Sequence, residues 1–139
     1  AMAAQKGHTE VVRLLLDSRA NVDAANTDGW AGLGMAATHG HLAVARLLIE
    51  YKAEVDAASQ NGATGLAMAA QKGHTEVVRL LLDSRANVDA ANTDGWAGLG
   101  MAATHGHLAV ARLLIEYKAE VDAASQNGAT GLAMAAQKG

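Results

Sequence analysis

The chain has 139 residues, half of them apolar, a formal net charge of −3 and no cysteine. That is enough chain for one domain with a core and too apolar a composition for a disordered tract, so it reads as soluble and globular, and it excludes a disulfide framework and a thiolate metal site. Its charges are evenly spread, so no Lys/Arg footprint exists for a phosphate backbone and nucleic acid is not an expected partner.

Along the chain the first feature met is repetition. Residues 67–139 repeat residues 1–73 letter for letter, a period of 66. Inside that unit GMAATHGHLAVARLLIEYKAEVDAASQNGATGL aligns without gaps on AMAAQKGHTEVVRLLLDSRANVDAANTDGWAGL, giving a second period of 33. Periods of this size mark stacked units that cannot bury both faces alone. The expected organisation is one domain, 1–139, made of a partial repeat 1–26, repeats 27–59, 60–92 and 93–125, and a partial repeat 126–139.

Each unit reads as two helices and a loop. Residues 66–72 are short and Ala-rich, a good helix former of little bulk, and Gly73 breaks the run. Residues 76–83 then place Val77, Leu80 and Leu81 at i, i+3 and i+4, one buried stripe of an amphipathic helix. Residues 86–95 are extended and carry Asp94-Gly95, a turn signal that suits a hairpin-like loop into the next unit. The apolar runs Val77-Val78 and Leu80-Leu81-Leu82 are far too short to span a bilayer, so no membrane partner is expected. The opening AMAAQKG lacks the basic start and apolar stretch of a signal peptide, which reads as an intracellular or recombinant protein.

Candidate chemistry is sparse. His39 and His41, recurring as His105 and His107, form an H-G-H pattern, but no third ligand stands at zinc-like spacing. A catalytic set needs unlike residues meeting at one place, whereas repetition copies each residue along the stack. Ser18 and Ser59 have no dedicated base and read as turn formers. The glycines do not form a phosphate-binding pattern. No catalytic residue, cofactor, metal or small-molecule substrate is therefore expected.

The positions Gly29, Leu33, Ala36-Ala37, Gly40-His41, Val44, Leu47-Leu48, Ala53, Val55 and Asp56-Ala57 recur every 33 residues, with Asp28 before the first glycine alternating with Asn61. In this pattern the chain resembles the ankyrin repeat family over its full length. The resemblance implies an all-α, ankyrin-type solenoid of helix-turn-helix repeats joined by hairpin-like loops, with short inner and longer outer helices, used for protein recognition. It also implies that His8, His41, His74 and His107 start the outer helices, and that Asp23, Asp56, Asp89 and Asp122 accept hydrogen bonds from loop backbone rather than forming an ion ladder.

The chain departs from the family where an inner helix usually opens with Thr-Pro-Leu-His. Here Ala31-Gly32-Leu33-Gly34 and Thr64-Gly65-Leu66-Ala67 alternate. It departs again after the outer helix, where Arg19, Lys52, Arg85 and Lys118 stand in place of the usual glycine. If that position is left-handed, each costs about 1 kcal/mol; otherwise the turn has changed shape. Systematic departures with perfect 66-residue identity suggest a designed or consensus-derived sequence, with a recent tandem duplication as the competing origin.

The family's contact positions map onto Ala25, Thr27, Asp28, Thr38 and His39 in one version, and onto Ala58, Gln60, Asn61, Ala63, Gln71 and Lys72 in the other. Trp30 and Trp96 follow Asp-Gly at a loop position that commonly touches the partner; packing over the neighbouring hairpin is the equal alternative. Ala1 begins inside an inner helix and Gly139 stops just after one, so complementary apolar faces are expected at both termini. The expected function is a non-catalytic protein-contact scaffold, self-association into a ring or filament included. Its alternative is a recognition module that binds a separate protein through the concave face.

Overall fold

A computed structural model describes residues 2–27, 29–119 and 130–138, with backbone alone for residues 2–7 and 138. Its helices are α1 (Met2–Asp17), α2 (Gly32–Thr38), α3 (Leu42–Glu50), α4 (Gly65–Lys72), α5 (Thr75–Asp83), α6 (Gly98–Thr104), α7 (Leu108–Glu116) and α8 (Gly131–Lys138). Among the described residues the fold is all-α, with isolated bridges such as Ala25 with Ala31 and Ala58 with Thr64 and no strand. The inner helices α2, α4, α6 and α8 stack in one layer, each against the next, and α3, α5 and α7 pack outside α2, α4 and α6. The result is a helix-turn-helix solenoid.

Small side chains set the inner spacing. A Cβ on Gly65 would lie 3.2 Å from the Ala37 Cβ and 3.6 Å from the Gly34 Cα, so consecutive inner helices nearly touch backbone to backbone. At the start of α4 the Thr64 hydroxyl accepts a hydrogen bond from the Ala67 N–H at 3.2 Å, a cap that Ala31 and Ala97 cannot make for α2 and α6.

Gly32 and Gly98 open α2 and α6, after residues in extended conformation with ψ 169° and 175°. That backbone suits proline at the next position. An added Cβ would find no atom closer than 3.4 Å at Gly32 or 3.5 Å at Gly98. Gly32→Pro and Gly98→Pro should therefore each stabilise by roughly 0.5–1 kcal/mol, chiefly by restricting the unfolded chain. Gly65→Pro should lose that gain against Ala37. Thermal melts of the three variants check the ranking.

The outer helices are buried more widely than one stripe. In α5 Val77, Val78, Leu81 and Leu82 are all buried while Leu80 is half-buried. The helix is flanked by α4 on the inside and by α3 and α7 on either side, so two adjacent stripes find cover. Tyr51 and Tyr117, just after α3 and α7, donate hydrogen bonds to the carboxylates of Asp17 and Asp83 in the preceding outer helix. Each phenol is held above its ordinary range, first by that hydrogen bond and then by desolvation.

Behind each outer helix the backbone keeps the left-handed conformation: φ is 70° at Arg19, 70° at Lys52, 68° at Arg85 and 71° at Lys118. The turn has not changed shape. Ala53 N–H still reaches the Leu48 carbonyl at 3.0 Å and Ala86 N–H the Leu81 carbonyl at 3.0 Å, closing each helix as a glycine would. Lys52→Gly and Arg85→Gly are each expected to stabilise by about 1 kcal/mol, because a Cβ in this region is strained. Urea midpoints at unchanged slope check this.

One helix breaks the expected pattern. Gly73 caps α4 with φ 78° and Gly40 follows α2 with φ 72°, but α1 runs straight through Gly7. At the interior breaks a neighbour fixes the turn: a Cβ on Gly40 would sit 2.7 Å from His74 Nδ1, and one on Gly73 2.8 Å from His107. The rings also clip the preceding turn, His74 Nε2 lying 3.2 Å from the Thr38 carbonyl and His107 Nε2 2.9 Å from that of Gln71. His41, His74 and His107 do precede α3, α5 and α7, whereas His8 lies inside α1.

Candidate functional site

The loops form a row of short hairpins. Asn26 and Asn92 organise two of them alike: each side-chain Oδ1 accepts from the backbone N–H of Trp30 or Trp96 at 3.0 Å, and each backbone N–H donates to that tryptophan's carbonyl. In the loop between them Asn61 takes over, its Oδ1 accepting from the Ala63 N–H at 3.1 Å and from the Ser59 hydroxyl. Contacts between loops hold the row in register. Gln60 Nε2 donates to the Thr27 carbonyl at 3.0 Å, and Thr93 N–H donates to the Asn61 carbonyl at 2.9 Å.

The recurring aspartates add a second line of such contacts. Asp23 Oδ1 accepts from the Glu54 N–H at 2.9 Å and Asp56 Oδ1 from the Asn87 N–H at 2.8 Å, each reaching the loop one unit further on. They bind loop backbone, as their short side chains favour. Asp122 lies outside the described residues.

The sequence-predicted contact residues fall into two groups. Thr27, Gln60 and Asn61 are exposed at the hairpin tips. His39 and Lys72 are exposed, and Thr38 and Gln71 half-buried, at the C-terminal ends of α2 and α4. At 1.5 Å per residue a seven- or eight-residue inner helix separates the groups by about 10 Å. Thr38 is also structural: its hydroxyl donates to the Gly34 carbonyl at 2.8 Å, and its own carbonyl meets His74. Asp28 lies outside the described residues.

Trp30 and Trp96 are half-buried, and the reason lies in the helix that follows. A Cβ on Gly34 would be 2.2 Å from Trp30 Cε3, and one on Gly100 would be 2.4 Å from Trp96 Cε3. The indole lies directly on the glycine. This bears on one of the family departures noted above. At these positions any Cβ would meet the tryptophan four residues earlier, so glycine stands there, whereas in the alternate unit, where that residue is Ala63, alanine stands at Ala67.

Apolar side chains are exposed on α1, where Val11, Leu14 and Leu15 are 55%, 65% and 54% accessible, and on α7 and α8, where Leu108, Ile115 and Leu132 are exposed. Beside α1 lies a cavity of about 310 Å³ lined by His8, Thr9, Gly40, His41, Val44 and Arg46 among others. The His39 and His41 ring centroids are 6.0 Å apart, with His39 on the surface. Among the described residues no three of His, Asp and Glu converge as metal ligands, and no helix is long and apolar enough to cross a membrane.

Paired short and long helices, hairpins in register and the histidine clips of His74 and His107 recur among the described residues, and the sequence matches the profile of ankyrin repeats in three copies over residues 1–92 and 66–139. The chain belongs to the ankyrin repeat family. Among curated proteins, none matches it. Ankyrin repeats are in general non-catalytic modules for protein–protein contact, so a protein partner is the class of ligand that this ankyrin stack implies.

Proposed function

We propose that this ankyrin chain is a non-catalytic scaffold that works through protein contact, with copies of itself among its partners. The observation that carries the reading is the pair of exposed apolar patches, Val11, Leu14 and Leu15 at one end of the described stack and Leu108, Ile115 and Leu132 at the other. Large apolar side chains left in water on the terminal helices of a repeat stack support contact there. Light scattering tests it: the mass should rise above 14.2 kDa with concentration, and a mass of 14.2 kDa throughout would remove self-association from the reading. Nucleic acid, membrane and small-molecule substrates have no part in it. The letter-for-letter 66-residue period supports a designed or consensus-derived origin.

A second reading rests on the row of hairpins. Trp30 and Trp96 are half-buried in the same row of hairpins as the exposed Thr27, Gln60 and Asn61, with Thr38, His39, Gln71 and Lys72 at the far ends of the inner helices; partly exposed aromatics are effective anchors for a separate protein. In a complex formed there, Trp30→Ala and Trp96→Ala should each weaken binding roughly tenfold or more. Arg46→Ala, on the outer surface, should change nothing. Equal effects of all three in titration calorimetry would refute this reading.

A further inference from the structure

Resting on the self-association reading, the structure points to a particular mode of it. Helix α8 (GLAMAAQK) has the same sequence as α4, and residues 8–17 of α1 (HTEVVRLLLD) have the same sequence as residues 74–83, which contain α5. Within the chain α4 and α5 pack as an inner–outer pair, with Leu66, Val77 and Leu81 at most 2% accessible. The same side chains in α8 and α1 lack that partner: Leu132 is 80% accessible, and Val11 and Leu15 are the exposed residues of α1 described above. Each exposed face is therefore one half of a contact that the molecule already makes elsewhere.

The cavity beside α1 is an independent sign of the same vacancy. Its His41 is exposed, while His107, which occupies the same register 66 residues on, is clipped at 2.9 Å to the carbonyl of Gln71. The residue of α8 equivalent to Gln71 is Gln137. The site also stays open, because residues 2–7 continue the axis of α1 instead of folding back across it.

We propose that α8 of one copy seats against residues 8–17 of a second copy and supplies the inner helix of its first repeat. The contacts are Leu132 on Leu15 and Val11, and Gln137 carbonyl on His41, in place of the buried cluster that Leu66, Val77 and Leu81 share where α4 packs on α5, and of Gln71 with His107. The same placement sets α8 beside α2 of the second copy, which repeats the stacking of α4 on α6. The 66-residue period then runs unbroken from copy to copy, a heterologous contact that extends head to tail.

Two single substitutions at exposed positions test this, Leu15→Lys at the acceptor and Leu132→Lys at the donor. Each variant alone should remain at 14.2 kDa in sedimentation, with unchanged far-ultraviolet helicity, while the parent chain grows with concentration. Mixed in equal amounts they should form a complex of twice 14.2 kDa and no more, because only one intact donor meets one intact acceptor. Leu14→Lys serves as a second acceptor variant should Leu15→Lys fail to fold. Variants that associate as the parent does would overturn helix donation and leave self-association standing on another face. A parent chain that stays at 14.2 kDa would overturn both. Two monomeric variants that remain monomeric on mixing would overturn the head-to-tail pairing.

Discussion

Leu81→Ala should destabilise the chain by about 2–5 kcal/mol, while Leu15→Ala, the same substitution at the same register of the repeat, should cost under about 0.5 kcal/mol at concentrations where the chain is unassociated. Leu81 is fully buried between α4 and the neighbouring outer helices, so its truncation removes transfer free energy and leaves a cavity. The side chain of Leu15 is already more than half in water and leaves no cavity behind. Urea unfolding of the two variants measures the contrast. Comparable losses would mean that α1 is covered in solution, and a dependence of the Leu15→Ala loss on protein concentration would identify the cover as a second copy.

Gly100→Ala is expected to cost about 1–2 kcal/mol even though alanine is the better helix former by about 1 kcal/mol. The new Cβ would stand 2.4 Å from Trp96 Cε3, far inside the 3.5–4.0 Å at which carbon atoms pack, so the indole must swing off the helix. Tryptophan emission should shift to the red as it enters water. Trp96→Ala combined with Gly100→Ala rebuilds the arrangement of Ala63 and Ala67, and the pair should recover most of the loss, a coupling of about 1–3 kcal/mol. Additive losses would show that the indole does not rest on Gly100. Gly34 with Trp30 offers the same test one period earlier.

Much of the fold was legible in the letters. The 33-residue period, the Ala-rich run before Gly73 and the i, i+3, i+4 spacing of Val77, Leu80 and Leu81 are local signals, and α4 and α5 follow them with the same ends, each starting one residue earlier than expected. Local patterns could not show that Val78 and Leu82 are buried too, because that stripe is covered by residues from other repeats. The site was legible only as positions. That Gln60 reaches the Thr27 carbonyl, and that Asp23 and Asp56 bind the next loop rather than their own, follows from the spacing between units.

That glycine, and not a residue with a Cβ, stands at Gly34 and Gly100 had no explanation in the letters alone. Its cause is a volume shared by two side-chain positions in space, and the alternation of Trp with Gly and Ala with Ala becomes a signal only once the indole is seen on the glycine. The glycine breaks show the same division. Gly7 and Gly73 stand in identical heptapeptides, AMAAQKG, yet one lies within a helix and the other ends one.

Sequence by itself determined the repeat, its helix pairs and the apolar faces that each must cover, since these depend on spacing along a few turns of chain. Tertiary structure alone decided which glycine turns form and where the indoles rest. Those outcomes depend on whether a neighbouring repeat is present to make the contact, and identical letters cannot carry that difference.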